Sequence, residues 1–297
     1  MNRILVTGSE SFIGQKLIPL LINKKYFVLG IDKVKLSRST NLSLDINSPK
    51  INNILKKKKI DTIIHLAAIS RDIDCKKDVY NTFKSNVLGT LNLIKYSNVN
   101  NISNFIFAST EWVYDSFEKN KSKNENEPIN IQKIDSEYAL SKLVSENNLR
   151  QWHLLKNKIN VKILRFGIIY GNRKNNWSAV ESLFSQIKKQ KTIEIGSCNT
   201  ARRFIHVDDI CRGIIASIKV KGFHIFNLQG GKIISLGEII RISSKILNIK
   251  VKIHELNKNS PSIRKISNNK SKKLLKWKPQ INIYEGLKKF GEFLNNE

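Results

Sequence analysis

Tyr138 and Lys142 stand four residues apart in Glu137-Tyr-Ala-Leu-Ser-Lys142, the spacing that places two side chains on one helix face. A lysine held beside a tyrosine stabilises the phenolate and brings the phenol down from its ordinary pKa of about 10. A tyrosine so placed can carry a proton to and from a substrate. The pair alone also describes an exposed helix face. Two further stretches give it meaning. Phe105-Ile-Phe-Ala-Ser-Thr110 runs from an apolar strand straight into hydroxyls, with Glu111 and Trp112 next. Thr7-Gly-Ser-Glu-Ser-Phe-Ile-Gly14 links a first strand to a first helix. A glycine-rich turn in that context lets backbone N–H groups approach a pyrophosphate at a helix N-terminus. Gly8 and Gly14 supply the glycines, Ser11 takes the middle position where glycine is favoured, and Phe12 and Ile13 open the helix. Asp32 ends the second strand, where an acid hydrogen-bonds a ribose 2′-hydroxyl and repels a 2′-phosphate. This predicts NAD. Lys33, Lys35 and Arg38 follow closely and keep NADP as the alternative.

The elements that must hold these residues are legible as alternation. Strand candidates are Arg3–Gly8, Tyr26–Asp32, Asp61–Ala68, Asn104–Thr110, Val161–Gly171 and Phe223–Gln229, nearly continuous in apolar character as strands buried on both faces should be. Helix-like stretches fall between them at Ile13–Asn23, Pro49–Lys58, Val79–Asn98 and Glu137–Lys156. Such alternation implies right-handed βαβ units and an α/β fold with a doubly wound parallel sheet of Rossmann type. It occupies residues 1–171, and the strand near 223–228 returns to it. Residues 172–297 form a smaller C-terminal α/β lobe for substrate, with helices at Trp177–Lys189, Gly237–Leu247 and the chain end. Asp115–Ser136, polar and carrying Glu127-Pro128, is a loop.

Composition narrows the class. The chain has 297 residues, 40% apolar, and no apolar run long enough to span a bilayer. Its first strand begins too early to leave room for a cleavable leader, so a soluble, cytoplasmic protein is expected. Cys75, Cys198 and Cys211 are scattered, which suits a reducing compartment and argues against a structural metal. Net charge is +28, from 52 basic and 24 acidic residues. The lysines accompany abundant Ile and Asn in loops and helices alike, and no basic stretch is interleaved with regularly spaced aromatics for stacking. We expect no nucleic-acid partner and no membrane partner. The field still attracts phosphorylated substrates. Lys56–Lys59 closes a helix, where cations suit the dipole.

With Thr7–Gly14, Asp32, Leu44–Asn47, His65–Ala68, Asn86–Ile94, Ser109–Tyr114, Tyr138–Lys142, Leu164–Arg173, Arg202–Asp209, Phe226–Gly231 and Leu274–Pro279 all in place, the sequence resembles an extended short-chain dehydrogenase/reductase of the NAD-dependent nucleotide-sugar epimerase/dehydratase type. The resemblance covers nearly the whole chain. It implies that Thr110 hydrogen-bonds the reacting sugar hydroxyl, Tyr138 is the acid/base, and Lys142 holds the nicotinamide ribose. It also implies that Asp45 and Ile46 contact adenine, Leu66, Ala67 and Ala68 line the cofactor, and Asn86 is a cofactor-side polar position or a helix-start hydrogen bond. His65 is expected to be structural. Arg202 and Arg264 match arginines that bind a nucleotide diphosphate, a task suited to guanidinium. The expected partners are a nucleotide-diphosphate sugar and a second copy of the chain, a homodimer formed through the Asn86 and Tyr138 helices.

The implied chemistry oxidises a sugar hydroxyl to a 4-keto intermediate. Rotation and hydride return give a C4 epimer; loss of water or of CO₂ gives a dehydratase or decarboxylase product. Elimination needs extra acids. The family's dehydratases carry an acidic pair after the threonine, and here Trp112 takes the second slot. Glu111 alone can act as an acid or point to solvent, and Trp112 offers stacking area to a sugar. Epimerisation or a closely related sugar oxidation therefore leads. A Glu111-dependent dehydratase or decarboxylase is the alternative, as is a non-catalytic NAD(P)-binding regulator, against which the intact Tyr138/Lys142 pair speaks. Ile168, Arg203 and Asp115 also depart from common family residues, so the substrate half is less orthodox than the cofactor half.

Overall fold

The structure is a computed structural model describing residues 3–34, 36–114, 117, 121–156, 159–173 and 178–296. Lys35 and Asp115 lie outside them. The first half of the chain supplies β1 (Arg3–Thr7), α1 (Phe12–Asn23), β2 (Phe27–Asp32), β3 (Leu42–Ser43), α2 (Lys50–Lys57) and β4 (Thr62–His65). There follow α3 (Asp72–Lys77), α4 (Val79–Phe83), a π-helical turn (Lys84–Leu88), α5 (Gly89–Val99), β5 (Asn104–Thr110), α6 (Glu137–Lys156) and β6 (Asn160–Phe166). The second half adds β7 (Ile169–Tyr170), α7 (Ala179–Lys189), β8 (Thr192–Ile195), β9 (Ala201–Arg202), β10 (Ile205–His206), α8 (Val207–Ser217) and β11 (Phe223–Leu228). It ends with β12 (Ile234–Ser235), α9 (Leu236–Leu247), β13 (Lys252–Glu255), α10 (Asn269–Leu274) and α11 (Ile283–Asn295).

Seven strands form one sheet in the order β11-β6-β5-β4-β1-β2-β3. β1 runs parallel to both β2 and β4, and β4 to β5. The chain builds outward from β1 on one side, then on the other, as the doubly wound reading requires. That reversal leaves a crevice at the carboxyl ends of β1 and β4, the place where such sheets bind ligands. Apolar runs on these strands are buried on both faces: Ile4, Leu5, Val6, Ile63 and Phe105 are fully enclosed.

The chain divides into two compact units. One comprises Met1–Ser116, Pro128–Arg165 and Cys211–Phe226, with a core that includes Leu5, Ile31, Ile63, Phe105 and Ile163. The other comprises Phe117–Glu127, Phe166–Ile210 and Asn227–Glu297, centred on Val180, Phe184, Ile239, Leu287 and Phe290. In the second unit β8 and β13 pair in parallel. Capping boxes at Ser178/Glu181 and Asn282/Glu285 start α7 and α11. The Asp209 carboxylate accepts the Gln280 and Ile281 N–H groups, and Trp277 donates to the Asp209 carbonyl. Among the described residues, no helix is long and apolar enough to cross a membrane.

Two expected elements are broken. The strand expected over Val161–Gly171 ends at Phe166; β7 pairs instead with β10, and Gly167 donates its N–H to Leu228. The helix expected over Val79–Asn98 is interrupted by the π turn, which widens the ladder at Asn86. The Asn86 carbonyl then accepts both the Thr90 and Ser145 hydroxyls.

Lys162 is enclosed at the amino-terminal end of β6, where it donates to Asn104 Oδ1 and, at 3.0 Å, to the Val220 carbonyl. Burial pushes its pKa down from 10.5 to about 7. Above the unfolded value both states are neutral. As pH falls toward 7 the unfolded chain gains a proton that the folded chain does not, and stability is lost. Lys162→Met is therefore expected to flatten the rise of Tm with pH between about 7.5 and 9.5, read by thermal unfolding.

Candidate active site

The turn after β1 is shaped by its glycines. Gly8 has φ +71°, and a Cβ on it would lie 2.7 Å from the Ala67 nitrogen. A Cβ on Gly14 would lie 2.3 Å from the Gly8 carbonyl oxygen. Ser11 needs no glycine: its backbone is extended at φ −65°, and its hydroxyl accepts the Gly14 N–H at 3.1 Å, capping α1. Phe12 and Ile13 then start the helix. The result is an open cradle of backbone at a helix N-terminus, suited to a pyrophosphate. Asp32, at the end of β2, accepts the Glu10 N–H at 2.9 Å. Leu66 is buried and bonded to Thr7 through the backbone, with Ala67 and Ala68 partly exposed after it. Asp45 is exposed and closes a turn on the Asn47 N–H, whereas the Ile46 side chain packs into the core.

A chain of side-chain hydrogen bonds ties the turn to α6. Ala67 N–H donates to Thr7 Oγ1, which lies 2.7 Å from His65 Nδ1; His65 Nε2 lies 3.0 Å from Thr90 Oγ1. Thr90 donates to the Asn86 carbonyl, so it must accept from His65 Nε2, which fixes the tautomer. Burial, aided by the charge of Lys142, holds His65 well below its ordinary pKa and therefore neutral. Asn86 is neither at a helix start nor open to solvent. Its amide spans the Ile69 N–H and carbonyl and also donates to Ser141 Oγ. This clamp is not legible in the residues beyond the asparagine itself, because nothing local announces a π turn.

β5 delivers Thr110, and α6, begun by Ser136, whose hydroxyl accepts the Ala139 N–H, delivers Tyr138 and Lys142. Thr110 Oγ1 accepts the Trp112 N–H, and the Thr110 hydroxyl acts on the Tyr138 phenol, drawing its pKa down. Lys142 Nζ sits 4.6 Å over the Phe107 ring and 5.9 Å from the Tyr138 ring centroid. The expected depression of the phenol is not found in the chain alone. Burial pushes Tyr138 well above its ordinary value although the Thr110 hydroxyl opposes it, and burial lowers Lys142 to about 7 although Glu146 opposes it. Desolvation of both groups outweighs an attraction acting across that separation.

Behind the threonine lies a network that the sequence did not announce. Ser109 donates to Glu146 at 2.5 Å, and Arg165 meets the same carboxylate through Nε at 3.0 Å and Nη2 at 2.6 Å. The Arg165 guanidinium also lies 4.9 Å over Tyr114. These residues fasten β5, α6 and β6 beside the Thr110/Tyr138 pair. Glu111 and Trp112 divide: Glu111 is 1% exposed and Trp112 39%. The alternative of Glu111 pointing to solvent is thereby corrected, since the short 3₁₀ turn Glu111–Val113 rotates the carboxylate inward.

Arg202 and Arg264 lie in the second unit on neighbouring segments, joined by a bridge from Ala201 to Ile263. Arg202 donates to the Ala201 and Ser262 carbonyls, and the Arg264 guanidinium stands 5.4 Å over Phe117. Arg203 donates to the Gly230 and Gly231 carbonyls, and Ile168 packs against the second core.

Residues 4–228 match the model of the NAD-dependent epimerase/dehydratase family. The chain belongs to that family. The UDP-glucuronate 4-epimerase of Thermodesulfobacterium geofontis is 30% identical across 97% of this chain and 95% of its own length. UDP-glucuronic acid decarboxylase 1 of Arabidopsis thaliana is 27% identical across 96% of this chain and 68% of its own. Among solved structures, the UDP-glucuronic acid 4-epimerase of Bacillus cereus, crystallised with UDP-glucuronic acid and NAD, superposes with a TM-score of 0.85 at 26% identity, covering 99% of both chains. The family's cofactor, NAD, fits what is observed: the turn has no room for a Cβ at Gly8 or Gly14, and Asp32 stands at the end of β2.

Proposed function

We propose that this family member is an NAD-dependent nucleotide-sugar 4-epimerase acting on a sugar carried by a nucleoside diphosphate. The observation that carries the reading is enclosed Lys142, 5.9 Å from the Tyr138 ring, with Thr110 at the end of the sheet that holds the Gly8–Gly14 turn. Bound NAD⁺ supplies the hydride acceptor and a positive charge that favours the phenolate. Thr110 holds the reacting hydroxyl and Tyr138 takes its proton as hydride leaves the sugar carbon. Tyr138 returns the proton when hydride comes back to the other face of the 4-keto sugar. Lys142 orients the cofactor ribose and, as ammonium, steadies the phenolate. Asn86 and the His65 chain hold these groups in register. Asp45 and Ile46 contact adenine, Leu66–Ala68 line the cofactor, and Arg202 and Arg264 bind the diphosphate. The domain roles follow: residues 1–171 with the 223–228 strand bind cofactor, and 172–297 bind mainly substrate.

Incubation of the protein with NAD⁺ and a panel of UDP-, dTDP- and GDP-sugars is expected to give a product of unchanged mass and inverted C4, resolved by NMR. A product lighter by CO₂ or water would favour the second reading, a decarboxylase or dehydratase. Enclosed Glu111, one residue from Thr110, supports that reading, as does the similarity to the Arabidopsis decarboxylase. Trp112, half exposed, is proposed as a wall for the sugar. Trp112→Ala is expected to raise KM about tenfold with little change in Tm, measured by steady-state kinetics and thermal unfolding. A homodimer is proposed through the Asn86 and Tyr138 helices, a reading supported by the exposure of Tyr80, Leu88 and Leu91.

A further inference from the structure

Glu10 is the residue of the phosphate turn that neither the glycine pattern nor the catalytic groups account for. Its N–H is held by Asp32 Oδ2 at 2.9 Å, so the two acidic residues are joined at the carboxyl end of β2. Its own carboxylate reaches the other way. Oε2 accepts the Ser37 N–H at 3.0 Å, Oε1 accepts Asn41 Nδ2–H at 2.8 Å, and the Ser9 hydroxyl donates to Oε1 at 3.5 Å. Asn41 is buried, and it can approach only because Gly30 lacks a side chain: a Cβ there would lie 2.3 Å from Asn41 Oδ1 and 2.7 Å from Ser9 Cβ. Burial of Glu10 works against its charge, but these hydrogen bonds outweigh it and hold the carboxyl below its ordinary range. Two fixed carboxylates therefore stand where β2 meets the turn. Lys33 and Arg38, which follow closely in sequence, are respectively exposed and half-buried.

We propose that Glu10, together with Asp32, sets the preference of this chain for a dinucleotide without a 2′-phosphate. This rests on the NAD reading above and assigns to Glu10 a part that Asp32 alone was expected to play. Asp32 suits the ribose hydroxyls; Glu10 adds a second negative charge that a phosphate on the same ribose must approach. Its bonds to Ser37 and Asn41 keep that charge in place and hold those two residues against the turn.

The test is equilibrium binding of NADH and NADPH to the full chain, followed by fluorescence. Wild type is expected to favour NADH. Glu10→Gln keeps the shape and one acceptor oxygen, and it is expected to shift the affinity ratio toward NADPH by about tenfold. Glu10→Asp keeps the charge and is expected to hold the wild-type ratio, which separates loss of charge from altered packing. A ratio unmoved in a Glu10→Gln protein with wild-type Tm, or moved as far by Glu10→Asp as by Glu10→Gln, overturns the proposal while leaving the NAD reading intact. Failure of the wild type to bind either dinucleotide overturns both.

Discussion

Tyr138→Phe is expected to lower kcat by about a thousandfold while leaving dinucleotide binding in place. The phenol hydroxyl is the only part removed, and in the proposed mechanism it is the group that exchanges a proton with a hydroxyl held at Thr110. The ring keeps its place in the first turn of α6, so Tm is expected to change little. Lys142 keeps its packing over Phe107. Because the lost interaction belongs to the reacting state, kcat and kcat/KM should fall together and KM should hold. Steady-state assays on the substrate that turns over in the panel, with NADH fluorescence as the binding control, measure both. A variant with wild-type kcat would remove Tyr138 from the chemistry and with it the present assignment of the site.

Arg165→Met is expected to cost about 3–5 kcal/mol of folding stability. Both members of the Arg165–Glu146 pair are enclosed, with side-chain exposures of 3% and 4%. Removing the guanidinium leaves a buried carboxylate with only the Ser109 hydroxyl among its bonds described above. A buried charge stripped of its counter-ion is far more costly than a missing salt bridge at the surface. Replacing both partners, Arg165→Met with Glu146→Leu, is expected to recover most of the loss, because no uncompensated charge then remains. Urea unfolding of the three proteins decides this, and equal losses in the single and double variants would contradict it. There is a second consequence for the site. Glu146 lies one helical turn from Lys142 and is the main influence keeping that lysine protonated against burial. The double variant should therefore fold well yet lose activity at a lower pH than wild type, as Lys142 gives up its proton sooner.

Much of this protein was legible in its residues. The sheet, its doubly wound order and the helices α1, α2 and α6 follow from continuous apolar runs alternating with amphipathic ones, a pattern that backbone hydrogen bonding and burial dictate locally. Gly8 and Gly14 announced the turn because no side chain fits there, and the four-residue spacing of Tyr138 and Lys142 announced a shared helix face. What the sequence left open depends on contacts between residues far apart in the chain. A π turn at Asn86 is set by what its carbonyl and amide must satisfy on α6 and at Ile69, not by local propensity. Ser109, Glu146 and Arg165 look unremarkable singly and become a buried network only when β5, α6 and β6 pack. The inward turn of Glu111 decided between two readings that its residue type left open, while Trp112 stayed partly exposed. The protonation of Tyr138 and Lys142 changed most of all, since charge in a protein is decided by how much water the fold removes. Residue types and spacing thus determined which groups could react, while the tertiary structure alone decided their burial, their partners and the charges they carry before cofactor arrives.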